Sequence, residues 1–298
     1  MSLERFAPAK VNLFLHVGPV ATDGYHPVCS LMVFADVGDR VRLEPADLPG
    51  FRLEGAFADT LGGEGGGDNL VVTARDRLVA VLERPPAPFC LVLDKQLPIA
   101  AGLGGGSADA AAALRLIADH LSAIGEPSPD DAVLAQLARG LGADVSACLA
   151  SVPILGEGRG DDLRPAPPMP VLNAVLVNPR APSPTGAVYR AYDVAEGAKA
   201  ADRPELPDRF ADLDQVVLLL AGTRNDLQAP ARALQPLIGE VLQALASEPE
   251  ALWTRMSGSG ATCLAICGNS QDAAGLAARL AARHPGWWVK ACRLGNGG

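Results

Sequence analysis

The chain has 298 residues, 49% of them hydrophobic and 20% charged, which is enough to bury a core and to build one large domain or two of ordinary size. A formal net charge of −9 excludes a general nucleic-acid binder, because such a protein needs surplus Lys and Arg facing phosphates. No apolar stretch reaches membrane-spanning length and the start carries no apolar signal core, so the expectation is a cytoplasmic protein without a membrane partner.

Residues 10–18 alternate as a strand does, Ala21-Thr-Asp-Gly-Tyr-His26 supplies turn residues, and Val28 to Phe34 is a second β-like run, so the chain opens as a hairpin. Asp39 to Leu43 and Phe51 to Leu53 continue the strand pattern. A loop over Gly62 to Gly67 leads to Asp68-Asn69, a cap for a helix reaching about Leu82. Phe89 to Asp94 reads as a strand. The helix over about Ser107 to Leu121 is alanine-rich on all sides, which predicts close packing all round. Another helix, Asp130 to Leu141, closes in a turn at Gly142-Ala-Asp144.

After a Gly156 to Gly160 turn, Pro165-Ala-Pro-Pro-Met-Pro170 is the most linker-like segment, and the domain boundary is placed there, giving units 1–165 and 166–298. Beyond it, Val171 to Val177, Thr262 to Cys267 and Trp288 to Arg293 read as strands, and Ala187 to Tyr192, Ala231 to Leu245 and Ala273 to Arg283 as helices. That order predicts an α+β unit with an antiparallel sheet and helices on one face. Glu196 to Arg209 reads as a variable surface segment. The six cysteines have no paired metal spacing and sit in apolar runs, so buried reduced thiols are expected; His16 and His120 read as structural or exposed.

The strand ending at Asp94 meets the 107–121 helix through a turn almost without side chains. Gly102, Gly104, Gly105 and Gly106 let backbone N–H groups approach an anion, and Ser107 or a neighbour can cap a helix whose first turn is partly positive. The plain alternative is a glycine-rich connection. No Lys-Ser or Lys-Thr follows the glycines, and Ser107 stands where a dinucleotide fingerprint needs its third glycine, so neither common phosphate-loop pattern fits. Lys10 and Lys95 are conspicuous, being two of only four lysines against 21 arginines.

Four segments, Pro8-Ala-Lys10-Val-Asn12-Leu, Pro98-Ile-Ala-Ala-Gly-Leu-Gly-Gly-Gly-Ser107, Gly142-Ala-Asp144-Val and Met256-Ser-Gly-Ser-Gly-Ala261, together resemble the GHMP kinases. Asp23-Gly-Tyr-His26, Gly158-Arg-Gly160 and Pro182-Ser-Pro-Thr185 are similar to the branch whose acceptor is a cytidine diphosphate sugar alcohol of the non-mevalonate isoprenoid route. Gly105 and Gly106 stand where many GHMP kinases carry serines, and Ser146-Ala147 where Pro and an aromatic are common.

The resemblance implies a two-domain α+β GHMP kinase fold, with an N-terminal ribosomal-protein-S5-domain-2-like ATP domain and a C-terminal ferredoxin-like domain. It implies an ATP- and Mg²⁺-dependent kinase for the 2-hydroxyl of 4-diphosphocytidyl-2-C-methyl-D-erythritol, the ion's protein ligands being unassigned. Asp144 would take the hydroxyl proton and Lys10 would keep Asp144 ionised and offset phosphoryl charge. Pro98, Ile99, Ala100, Ala101, Gly102, Leu103, Gly104, Gly105, Gly106, Ser107 and Ala108 would wrap the ATP phosphates, with Lys95 and Asn69 also on the nucleotide. Tyr25 and Tyr189 would sandwich the base, His26 would bond its edge, and Asn12 and Thr185 would position the diphosphate end.

Taken singly, each of these residues has a plainer reading. Asp144 could be a solvated turn carboxylate, Lys10 and Lys95 solvated strand charges, Tyr25-His26 turn decoration, and Tyr189 packing. At the level of function the alternatives are a GHMP kinase for mevalonate or homoserine, or a non-catalytic nucleotide-binding relative. The expected partners are small molecules, in a monomer or homodimer.

Overall fold

The computed structural model describes residues 3–61, 69–195 and 200–295. The expected loop over Gly62 to Gly67 and the stretch 196–199 lie outside them. Strand β1 (Leu3–Val17) pairs antiparallel with β2 (Val28–Pro45) as the expected hairpin, but both strands run longer than their sequence signals. Asp39 to Leu43 is not a separate strand; it is the far end of β2, where Val41 and Leu43 keep the inward alternation.

Register shifts between Pro8 and Lys10 and between Asn12 and Phe14 flank Lys10 and Asn12 in the middle of β1. Their effect is visible in the packing. Ala7 joins a core with Phe34, Val41 and Leu43, whereas Ala9, Val11 and Leu13 join a second core with Leu31 and Val33. The first bulge therefore reverses which face β1 presents and turns Lys10 and Asn12 away from the second core.

Strand β3 (Gly50–Glu54) lies parallel to β4 (Phe89–Asp94), and β4 pairs with the end of β2. Four helices cover this part: α1 (Leu70–Ala80), α2 (Gly105–Ala123), α3 (Asp131–Leu141) and α4 (Ala143–Ala150). Asn69 caps α1 by accepting from the Val71 N–H at 2.9 Å, and Asp130 caps α3 likewise through the Val133 N–H. Helix α2 is central, and its alanines 108, 110–113 and 118 are buried against the sheet and neighbouring helices. Small side chains let it approach on every side, as its composition predicts.

Strands β5 (Ile154–Gly158) and β6 (Asp162–Pro165) form a hairpin where a turn alone was expected, and β5 pairs with the start of β2. Residues 166–171 lead to β7 (Leu172–Asn178). After α5 (Thr185–Val194) come α6 (Leu213–Ala221), α7 (Gln228–Leu234), α8 (Leu237–Ala246), β8 (Ala251–Met256), β9 (Cys263–Cys267), α9 (Ser270–Arg283) and β10 (Trp288–Gly295). The helix expected over 231–245 is two helices, because Pro236 lacks the N–H that would continue the first. Strand β8, for which the sequence pattern marks no element, precedes the Met256 to Ala261 turn.

The sheet runs β3-β4-β2-β10-β7-β9-β8, and β2 meets β10 at Phe34–Gly295 and Ala35–Leu294. The C-terminal strands are antiparallel, as expected. Helices do not keep to one face, however. Val175, Val177, Cys263 and Ala265 pack on α8 and α9, while Leu176, Leu264 and Ile266 face Val216 and Leu220 of α6 together with the opening hairpin.

The segment expected to be variable surface is tied down in part. Leu206 packs on the second core, and the buried His16 donates from Nδ1 to the Asp202 carbonyl at 2.6 Å while Nε2 accepts from the Arg224 N–H. Burial holds the His16 pKa below its ordinary value, in keeping with a neutral ring. All six cysteines are buried and unpaired. Among the described residues, no helix is long and apolar enough to cross a membrane.

Candidate active site

A cavity of about 490 Å³ opens where β1, the 98–104 loop, the first turns of α2 and α4, α5 and the 257–260 turn converge. Of the residues expected at a site, Lys10, Asn12, Asn69, Lys95, Pro98, Ile99, Ala100, Ala101, Gly102, Gly104, Gly105, Gly106, Ser107, Asp144, Thr185 and Tyr189 line it. Leu103, Ala108, Tyr25 and His26 do not. Leu103 and Ala108 face the two cores, so only the backbone of Leu103 serves the site, its carbonyl accepting from the Lys10 N–H at 2.8 Å.

Helix α2 starts at Gly105 rather than Ser107, and its N-cap is Gly104 in the left-handed region (φ 60°) without a side-chain cap. Ser107 is therefore inside the first turn and does not cap it. The first N–H groups of such a helix have no partner within it and carry the positive end of its dipole, which suits an anion. Ala100 holds a positive φ of 49°, a conformation that a side-chain-bearing residue adopts at a cost, in the same loop.

A second glycine turn backs the first. A Cβ on Gly102 would collide with the Ser257 carbonyl oxygen and crowd Gly260, so only glycine allows this approach. The buried Ser257 hydroxyl donates to the Gly102 carbonyl at 2.8 Å and accepts from the Asn12 N–H at 3.1 Å, while the Thr262 N–H reaches the Ala101 carbonyl at 3.1 Å. Asn225 holds this turn from behind, donating to the Met256 and Gly258 carbonyls.

Lys10 Nζ lies 3.1 Å from Asp144 Oδ2 and donates to Asn12 Oδ1 at 2.9 Å. Asn12 Nδ2 in turn donates to Ser30 Oγ, which donates to the Phe14 carbonyl, so a chain of bonds fixes the Asn12 amide. Asp144 is not in a helix-ending turn. Gly142 interrupts the chain at φ 156°, ψ 156°, and Asp144 falls in the first turn of α4, where the helix dipole favours a carboxylate. Lys10 is buried, whereas 43% of the Asp144 side chain stays open. A Cβ on Gly104 would lie 3.0 Å from Lys10 Cε, so the glycine loop touches this pair directly.

Lys95 is neither a solvated strand-end charge nor a free one. It is buried, and its Nζ is shared by Asp39 Oδ2 at 2.5 Å and Asp109 Oδ2 at 2.6 Å. Asp39 also accepts the Gln96 and Leu97 N–H groups. Burial alone would lower the Lys95 pKa, but the two carboxylates outweigh it and hold it above its ordinary value. Burial pushes the Asp109 carboxyl up to about 8, with Lys95 offsetting this only in part; its Oδ1 has no hydrogen-bond partner.

At the other end, Tyr189 lines the cavity and its phenol is pushed up to about 12, first by burial and then by the nearby Asp144 charge. His26 sits 5.0 Å from the Tyr189 ring, with Nδ1 on the Gly18 carbonyl at 2.8 Å and Nε2 3.1 Å from Asp193 Oδ1, so both ring nitrogens face protein oxygens. Tyr25 is 57% exposed, and Arg159 lies over its ring at 4.3 Å. Thr185 Oγ1 shares a 2.8 Å bond with Ser259 Oγ. Sequence reasoning misses Ser30, Asp109, Arg159, Leu227 and Ser259 in the lining. Only Arg159 and Ser259 carry a signal there, each inside a quoted motif.

Residues 69–151 match the family described as GHMP kinases N terminal domain, and residues 208–286 match GHMP kinases C terminal. A 4-diphosphocytidyl-2-C-methyl-D-erythritol kinase of Caulobacter vibrioides is 56% identical over 295 residues, covering 99% of this chain and 100% of that one. A solved structure of a 4-(cytidine 5'-diphospho)-2C-methyl-D-erythritol kinase is similar at TM-score 0.76 and 33% identity, covering 99% and 100% of the two chains. A homoserine kinase from Cytophaga hutchinsonii, at TM-score 0.67 and 20% identity over 100% and 96%, shares the fold. With its bulged first strand, paired glycine turns and end-to-end similarity, the chain belongs to the 4-diphosphocytidyl-2-C-methyl-D-erythritol kinases of the GHMP kinase superfamily.

Proposed function

We propose that the chain moves the γ-phosphoryl group of ATP to the 2-hydroxyl of 4-diphosphocytidyl-2-C-methyl-D-erythritol, in the supply of isoprenoid precursors by the non-mevalonate route. The observation that carries this reading is the Lys10–Asp144 contact of 3.1 Å beside Gly104, in a chain similar from end to end to kinases of that name.

The acceptor hydroxyl attacks the γ-phosphorus, its proton passes to the open Asp144 carboxylate, the bond to the β,γ-bridging oxygen breaks, and ADP leaves. Lys10 offsets charge on the phosphoryl oxygens, and the N–H groups at Gly104 to Ser107 grip the phosphates. Among the described residues no three His, Cys, Asp or Glu side chains converge as a metal site. Mg²⁺, held mainly by phosphate oxygens and water as that ion prefers, would neutralise phosphate charge there. Asn69 and Lys95 border the nucleotide side of the cavity and Asn12 and Thr185 the acceptor side. Tyr189 and Tyr25 offer aromatic faces to the base, and His26 a polar edge once it gives up Asp193. The catalytic and phosphate groups belong to a unit 1–165, and α5 with the 257–260 turn belongs to a unit 166–298.

ADP release measured with this acceptor, mevalonate and homoserine tests the reading. Turnover is expected with the cytidine compound alone, and comparable turnover with either of the others would overturn it.

A further inference from the structure

Three cationic side chains stand among the described residues of the cavity lining: Lys10, Lys95 and Arg159. The first two are matched there. Lys10 faces Asp144, and Lys95 is shared by Asp39 and Asp109, so the Asp144 and Asp39 carboxylates balance two ammonium groups even with Asp109 protonated, and that region has no surplus positive charge. The glycine loop can hold a triphosphate through N–H groups, but an acceptor that carries its own diphosphate still needs a countercharge. Arg159 is paired with Asp23 from outside the lining, whereas Lys10 and Lys95 each have a carboxylate partner, Asp144 and Asp109, within it.

Its placement is defined from three sides. Arg159 sits in the turn between β5 and β6, where its N–H donates to Asp161 Oδ1 at 3.2 Å. The next residue, Gly160, faces the Ala143 methyl, since a Cβ built there would lie 3.7 Å away, so the turn rests beside the residue preceding Asp144. The guanidinium carbon lies 4.3 Å from the centre of the Tyr25 ring, and Asp23 joins the two residues: its Oδ2 pairs with Arg159 and its Oδ1 accepts the Tyr25 N–H at 3.0 Å. A guanidinium lying over an aromatic ring keeps N–H groups besides the Nη2 held by Asp23 for an anion, and its planar, delocalised charge suits both the ring face and phosphate oxygens better than an ammonium group does.

We propose that Arg159 is an acceptor-binding residue that grips the diphosphate of the nucleotide-linked alcohol, with Tyr25 and Asp23 setting the plane of its guanidinium. Tyr25 then aligns the diphosphate clamp as well as flanking the base. The proposal rests on the cytidine-acceptor reading above and assigns that acceptor's charge to one side chain.

Calorimetric titration of cytidine and CDP into the wild type, Arg159→Ala and Arg159→Lys separates the two. The wild type is expected to bind CDP more tightly than cytidine. Arg159→Ala should lose about 10-fold or more of CDP affinity, with cytidine and ATP affinities unchanged, and Arg159→Lys should recover only part of the loss. Higher ionic strength should narrow the CDP-over-cytidine gap in the wild type and leave it nearly flat in the alanine variant. If Arg159→Ala keeps the wild-type preference, or if its loss falls on ATP, the Arg159 assignment is overturned while the acceptor reading stands. If the wild type binds neither cytidine nor CDP, the acceptor reading fails and the assignment fails with it.

Discussion

Neighbouring glycines of one loop touch two lysines that have opposite fates. Gly104 abuts Lys10, whose partner Asp144 is 43% open to the cavity; Gly105 abuts Lys95, which is sealed between Asp39 and Asp109. An open pair can exchange its carboxylate for a reacting group. A sealed cluster cannot do so without leaving charge stranded in a low-dielectric interior, so its contribution is to hold β2, β4 and α2 in register beneath the loop. Proximity to a glycine loop therefore does not distinguish a chemical lysine from an architectural one. The exposure of the partner carboxylate does.

The largest effect on this contrast is expected at the open pair. Asp144→Asn should lose about 10²–10⁴-fold in turnover while binding ATP nearly normally, because it removes the base and no phosphate contact. Wild-type turnover in a folded variant would remove Asp144 from the chemistry. At the sealed cluster, Lys95→Met should destabilise the fold by about 3–5 kcal/mol in urea titrations, since it strands the buried Asp39 carboxylate and leaves the buried Asp109 carboxyl without its donor. Lys10→Met should cost about 3 kcal/mol of transition-state stabilisation in kinetic measurements but shift unfolding by no more than about 1 kcal/mol, because water can reach Asp144. Equal stability losses from the two lysine substitutions would erase the distinction.

The remaining expectation is a pH slope. Asp109 has a pKa of about 8 when folded against an ordinary 3.8, so the folded chain retains a proton that the unfolded chain has released between those values. Its contribution to stability is complete below the lower value and is lost as pH rises towards the upper one. Asp109→Asn should flatten that decline in urea midpoints taken across neutral pH. An unchanged slope would show that another group titrates.

The features legible in the sequence are the local ones. Strand β4 covers the same residues, Phe89–Asp94, that the pattern marks, and Asn69 and Asp130 cap the helices that follow them. The Lys10–Asp144 pair was reachable only through the motifs, because no periodicity relates residues so far apart. Asp39 carries no signal for the same reason: it lies 56 residues from Lys95 and reads as an ordinary strand-end carboxylate. Gly-Ala-Asp is good turn chemistry and points to a turn at Asp144, yet the apolar run after it packs Val145, Ala147 and Cys148 into the core and so extends as a helix. Arg159 has its aromatic neighbour 134 residues earlier in the chain, a juxtaposition that only the sheet creates.

The seat of Gly102 against Ser257 also sets an order of assembly. The Ser257 hydroxyl that closes on the Gly102 carbonyl is 155 residues downstream, and Thr262, which bonds Ala101, comes later still. A chain emerging during synthesis can form the opening hairpin and α1 to α4 well before that turn exists, but its glycine loop has no backing until most of the chain is made. Nucleotide-binding competence is thus a late acquisition of this molecule, and a fragment ending at residue 165 would carry every glycine of the loop without the surface that gives the loop its shape.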